Sequence, residues 1–183
     1  MSRIAALRED LGGAHPRAAT KVKDYLEPYV QAFIENASFA VMASSNGDGD
    51  CDASPKGGKP GWVKIVNERT LLLPDIGGNR LFQSYENFET NPKAGFVFII
   101  PGMETTARVN GRVEILEPDQ VAQYGIEPDV HAPDANSGLV QGFLLHIDEA
   151  YFHCPRSMRF ADIWNTDMIE ANKARNLKSL KGE

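Results

Sequence analysis

The chain has 183 residues, is 42% hydrophobic and 24% charged, and carries a formal net charge of −6. That composition suits a folded globular chain and argues against disorder. The acidic balance disfavours a whole-surface nucleic-acid binder, so an anionic ligand would need a local basic pocket.

The longest purely apolar run, Phe96 to Ile100, ends at Pro101. It is far short of the roughly 20 residues a membrane-spanning helix needs. Met1-Ser2-Arg3-Ile4 holds no signal-peptide core, so export is not expected and a cytoplasmic location is. Cys51 and Cys154 are read as reduced thiols.

In chain order, Val22, Leu26, Tyr29, Val30 and Phe33 recur at helical spacing and predict a helical segment over 16–36. Pro28 inside it predicts a kink or break near Glu27. Phe39 to Ala43 reads as a strand, Asn46 to Asp50 as a tight turn, and Cys51 to Ser54 as the returning strand. Pro55 to Gly61 reads as a loop. Trp62 to Val66 and Thr70 to Leu73 form the next strand pair. A helix is expected over 80–90, stopped by Asn91-Pro92. Ala94 to Ile100 reads as a buried strand and Thr105 to Leu116 as an alternating one. Phe143 to Cys154 reads as a last long strand, with Asp148-Glu149 suggesting a bulge or an edge. About seven short strands with tight turns point to a mainly β chain, an antiparallel barrel with flanking helices. Nothing marks a domain boundary, so residues 1–183 are expected to form one domain: the helical segment 16–36, a barrel over 37–154 with helix 80–90 inserted, and a tail over 155–183.

Three clusters could carry chemistry. Ser54-Pro55-Lys56-Gly57-Gly58-Lys59 combines glycines with a cationic side chain, but lacks the Walker spacing. Taken alone, it reads better as a flexible surface loop. Gly77-Gly78-Asn79-Arg80 precedes a helix, whose first turn leaves N–H groups unpaired and favours an anion. Phosphate binding and simple N-capping by Asn79 both remain open there. Thr106, Arg108, Asn110 and Arg112 share a strand face, which suits bidentate contacts to carboxylate or phosphate but also a solvated sheet face. The four histidines show no metal-ligand spacing, and no nucleophile elbow is present. Chemistry, if any, would come from a bound cofactor.

Several short motifs, in order, are similar to those of one family. They are Asp52-Ala53-Ser54-Pro55-Lys56-Gly57-Gly58, Leu71 to Asp75 with Gly78-Asn79-Arg80-Leu81, Thr106 to Gly111, and Ala150 to Cys154. Over about Val30 to Trp164 the chain resembles the pyridoxamine 5′-phosphate oxidase-like, FMN-binding split-barrel superfamily, and within it a bacterial FMN-dependent subgroup. The resemblance implies a homodimer of split barrels with FMN at the subunit interface. It would place the flavin phosphate at Asn79 and Arg80, and the ring near Ala53, Ser54, Pro55 and Lys56. Pro74 and Asp75 would border the cofactor, Thr106 and Arg108 would contact ring or phosphate, and Arg159 and Trp164 would reach toward the partner's site. Lys56, Arg80 and Arg108 are expected to converge on the phosphate.

The function so implied is an FMN-dependent oxidoreductase acting on a small organic substrate or a nicotinamide donor. The alternative is a non-catalytic module that binds, stores or senses flavin, the deazaflavin F420 or haem. The loops at Gly102 to Glu104 and Gly125 to Gly138 would line the substrate side. The Arg-x-Val-Leu-Leu-Lys strand of the true oxidases is replaced here by Asp52 to Lys56, so vitamin B6 oxidation itself is not expected.

Overall fold

The structure is a computed structural model and describes residues 2–13, 16–78, 80–127 and 129–175. Seven helices and seven strands alternate irregularly along it. They are α1 (Arg3–Asp10), α2 (Pro16–Thr20), α3 (Pro28–Asn36), β1 (Phe39–Ser45), β2 (Cys51–Gly57), β3 (Lys64–Asn67) and β4 (Thr70–Ile76). Then follow α4 (Gln83–Thr90), β5 (Lys93–Ile99), β6 (Thr106–Leu116), α5 (Pro118–Gln123), β7 (Leu139–His153), α6 (Arg156–Ala161) and α7 (Thr166–Lys173).

All strands belong to one antiparallel sheet in the order β2-β1-β5-β6-β7-β4-β3. The sheet curls until β2, at one edge, comes close to β4, next to the other edge. Lys56 on β2 and Asp75 on β4 meet across that gap at 3.0 Å without any ladder between their strands. The architecture is therefore a split β-barrel, and the split lies between β2 and β4.

Strand alternation sorts residues between inside and outside. On β6, Ala107, Val109 and Val113 are buried, while Arg108, Asn110 and Arg112 point the other way. The register of β7 slips by one residue at Asp148: Asn110 faces Glu149 but Gly111 faces Ile147. The bulge lets Ile147 and Ala150 both pack inward. Gly111 sits against this irregularity, and a Cβ there would lie 2.2 Å from the His146 carbonyl oxygen.

The interior is filled from β1, β4, β5, β6 and β7, with Met42, Leu71, Leu73, Phe96, Phe98 and Leu145 almost wholly buried. Aromatic rings lock the layers: Phe88 of α4 stands edge-on to Phe143 of β7 at 5.7 Å, and Phe96 stacks on Phe98 at 5.7 Å. Leu26, Val30, Phe33 and Ile34 join the same core from α3 and the segment before it. A smaller cluster of Leu72, Leu116, Val121 and Leu144 lies outside the barrel under α5.

Three boundaries differ from expectation for local reasons. The break expected at Pro28 is present in the segment 16–36, but its first helix already ends at Thr20. Pro28 takes the first position of α3, where its missing N–H costs nothing. Residues between α2 and α3 are extended instead: Lys23 bridges Ala150 of β7, and Leu26 donates its N–H to the Glu68 carbonyl. The inserted helix begins at Gln83, not Arg80, because Arg80 (φ 61°) and Phe82 (φ 53°) are left-handed. Strand β2 runs through Pro55 to Gly57, and an edge strand is where a proline is tolerated. No helix among the described residues is long and apolar enough to cross a membrane.

Candidate functional site

Where the barrel is split, a cleft of about 530 Å³ opens. One wall is β2, whose alternation turns Asp52, Ser54 and Lys56 toward partial burial and leaves Ala53 and Pro55 exposed. The opposite wall is the end of β4, with Asp75, and the turn through Gly77 and Gly78. The floor is the start of α4, and the loop at Ala135 to Gly138 closes the side. Gly77 is required by that closure: its N–H donates to the Gly138 carbonyl, and a Cβ would lie 2.5 Å from the Asn136 carbonyl oxygen.

The electrostatics of the cleft are mixed. Lys56 pairs with Asp75, and Asp52 accepts a 2.6 Å hydrogen bond from the Ser84 hydroxyl. Arg80 lines the cleft and makes no ion pair among the described residues. Beside it, α4 begins with no side-chain cap, because Phe82 occupies the cap position. An uncapped helix start presents unpaired N–H groups and the positive end of the helix dipole. Two left-handed, non-glycine residues hold the loop in this shape, at a cost of about 1–2 kcal/mol each. Strain of that kind concentrates at binding sites. At the back, the buried Tyr85 hydroxyl has no hydrogen-bond partner of good geometry among the described residues, and Asp75 and Gln141 are its polar neighbours. Burial, and secondarily the Asp75 carboxylate, push its pKa well above the usual tyrosine value, so it stays protonated and available as a donor.

The expected site residues fall into four groups. Ala53, Ser54, Pro55, Lys56, Asp75 and Arg80 come together around the cleft. Pro74 lies just beyond, in a second hollow that shares the Lys56–Asp75 pair. Asn79 lies outside the described residues.

The rest sit elsewhere on the chain. Arg108 does not converge with Lys56 and Arg80. It lines a separate outward hollow with Lys93 and Asn110, because residue 108 has the outward parity of β6. Thr106 is buried at the start of β6, in register with His153. Arg159 pairs with Glu104, and the Trp164 indole donates to the Met103 carbonyl at 2.9 Å, so both tie the C-terminal helices to the β5–β6 turn.

Sequence reasoning missed Asp52, Ser84 and Tyr85 as lining residues. Ser84 and Tyr85 carried a signal, since they fill the first turn of the helix that follows Gly77-Gly78. The contribution of Asn136 carried none, because a loop reaching across the fold leaves no local pattern.

The fold and the cleft define a split-barrel protein with a cofactor-sized site at its seam. Residues 26–154 match the family described as pyridoxamine 5′-phosphate oxidase, and the chain belongs to that family. Among solved structures, it is similar to a candidate pyridoxamine 5′-phosphate oxidase from Lactobacillus delbrueckii. The identity is 19%, over 72% of this chain and 99% of that one, with a TM-score of 0.52. It is also similar to HupZ from Group A Streptococcus, at 14% identity over 70% of this chain and 99% of that one, with a TM-score of 0.52. At these identities the likeness speaks for the fold. Among curated proteins, none matches the chain.

Proposed function

We propose that the chain binds FMN in the cleft at the barrel seam and acts as an FMN-dependent oxidoreductase on a small organic substrate or a nicotinamide donor. The observation that carries this is the uncapped start of α4 beside Arg80, which has no ion pair among the described residues. A dianionic phosphate satisfies both: the helix start offers N–H donors, and the guanidinium offers a charge-assisted fork. Membership of the family supports the same cofactor class.

The remaining residues fit the group. The cleft volume falls within the roughly 300–1,000 Å³ typical of small-molecule sites. The Tyr85 hydroxyl supplies a buried donor at the back of the cleft. Asp75 holds Lys56 at 3.0 Å, fixing the ammonium in the seam where a polar edge of the ring would meet it. When bound, the flavin supplies a ring that takes up and releases electrons or a hydride. The chain's part is to anchor the phosphate through Arg80 and the α4 start, to orient the ring with β2, and to hold Lys56 beside it.

The proposal extends to a homodimer. The outward face of β1 and β5 carries an apolar stripe of Phe39, Val41, Val97 and Ile99, flanked by Pro55 at the edge of the cleft. A second copy covering that stripe would border the cleft and bring its own outward residues, Arg108 included, toward the interface.

The test is an FMN titration followed by flavin fluorescence. Loss of a charge-assisted contact worth about 1.5–3 kcal/mol predicts that Arg80→Ala weakens FMN at least tenfold. Unchanged affinity would refute the phosphate assignment. Native mass spectrometry of the purified protein separates FMN from F420 by mass. Stopped-flow mixing of the loaded protein with NADH and NADPH separates an oxidoreductase from a carrier, since a carrier would not be reduced.

A further inference from the structure

We propose that Asn46, in the β1–β2 turn, is a site of spontaneous deamidation that the fold holds shut, with the Thr90 hydroxyl of α4 as its latch. The chain contains two Asn-Gly pairs, Asn46-Gly47 and Asn110-Gly111. An asparagine before glycine is open to attack by its own backbone, because glycine has no Cβ to crowd the attacking nitrogen. The proton of the Gly47 N–H passes to solvent base, and the nitrogen bonds to the Asn46 side-chain carbon, Cγ. The Cγ–Nδ2 bond breaks, ammonia leaves with a proton taken from solvent, and a five-membered succinimide remains. Water then opens the ring at either carbonyl and leaves aspartate or isoaspartate.

Both ends of that reaction are tied in the folded hairpin. The Gly47 N–H donates to Thr90 Oγ1 at 3.0 Å. A hydrogen-bonded N–H gives up its proton only when the bond opens. The Asn46 side chain is held within the turn: Oδ1 accepts from the N–H groups of Asp48 at 3.0 Å and Asp50 at 2.9 Å, and Nδ2 donates to the Asp50 carboxylate at 3.0 Å. The ring closes only if the side chain and the peptide plane after it rotate out of these bonds. Asp48 and Asp50 also add negative charge, which opposes a deprotonated nitrogen.

Thr90 is the part of this arrangement that comes from outside the turn. It ends α4, and the same stretch holds β1 through Asn87 on the Ser44 hydroxyl and Asn91 on the Ser45 carbonyl. The turn stays shielded while the end of α4 rests on the hairpin. After deamidation a carboxylate at position 46 would face that of Asp50, and an isoaspartyl link would add a main-chain atom to a turn built for the Ser45–Cys51 register. β2, a wall of the cleft, begins at that turn. Asn110-Gly111 is the internal comparison. It lies within β6, paired with β5 on one side and β7 on the other, and Asn110 Nδ2 donates to Glu149 at 2.7 Å. Backbone paired on both sides cannot bend into a succinimide without leaving the ladder.

The experiment incubates the full-length chain in mildly alkaline buffer. Peptide mass mapping and isoaspartyl methyltransferase labelling follow deamidation at each asparagine. The folded wild type should react at Asn46 about tenfold or more slowly than the same chain in urea, where Asn46 and Asn110 react alike. Thr90→Val keeps the shape but loses the acceptor, and should speed Asn46 in the folded chain by about threefold or more, as one lost hydrogen bond predicts, with Asn110 unchanged. Thr90→Ser retains a hydroxyl and should stay as slow as the wild type. A folded wild-type rate equal to that in urea would overturn the proposal, as would a smaller rise in Thr90→Val or an equal rise in Thr90→Ser. Equal acceleration of Asn110 in Thr90→Val would overturn it too, since that marks a general loosening and not a lost latch.

Discussion

His153 shows how a single side chain can tune stability. It sits near the end of β7 beside Tyr151, whose ring is flanked by the Lys21 ammonium at 4.8 Å and the Arg108 guanidinium at 6.0 Å. Partial burial first, and then repulsion from Lys21 and Arg108, hold its pKa below the ordinary 6.5. The folded state therefore binds the proton less readily than the unfolded chain does. The resulting stability is complete above about pH 6.5 and is lost as the pH falls below that value toward the folded pKa. His153→Gln lacks this loss. Urea midpoints of the two proteins should run in parallel above pH 7 and converge or cross as the pH falls toward 5.5. An offset that stays constant from pH 8 to 5.5 would show that His153 does not titrate against these neighbours.

At the level of the element, legibility followed the range of the forces involved. β6 was readable because Ala107, Val109 and Val113 alternate with polar residues, and alternation is what a half-buried strand imposes. The bulge at Asp148 was readable because two acids in an apolar strand cannot both keep its parity. The segment at Lys21 to Glu27 misled, since apolar residues at helical spacing also serve an extended chain that docks on β7. Within the cleft, the turn through Gly77 and Gly78 was legible from backbone chemistry. The place of Arg108 was not, because sequence parity shows that it faces outward but not which hollow lies there.

α6 and α7 bury no residue of their own and depend on tethers to the β5–β6 turn. The Trp164 indole bond to the Met103 carbonyl is one, and the Arg159–Glu104 pair is another. A neutral hydrogen bond contributes about 0.5–1.5 kcal/mol. Trp164→Ala should therefore speed amide exchange in residues 156–173 by roughly three- to tenfold. The strands of the barrel should keep their protection. Equal acceleration in β5 and β6 would mean that the tail braces the barrel and does not merely rest on it.

For the whole molecule, the stripe on β1 and β5 is the face on which the proposed dimer can be tested. Val41 and Val97 are register partners on neighbouring strands, and both are only half-buried in a single chain. A face of this kind on a sheet invites a partner of the same kind. Light scattering should give a dimer mass for the wild type. Val97→Asp should give a monomer that keeps its circular dichroism and binds FMN more weakly. A monomeric wild type with undiminished FMN affinity would place the whole site within one chain.

β7 has a consequence for how the chain comes into being on the ribosome. It pairs with β6 along its length and with β4 over its first half, and it receives Lys23 near its end. Until residues 139–153 have been synthesised, β4 and β6 each present an unpaired flank, and the segment ahead of α3 has nothing to dock on. Unpaired strand flanks recruit other chains, and pairings this distant in sequence form slowly. The nascent polypeptide is thus most exposed to misassociation just before its last strand emerges, and release of that strand closes both flanks together.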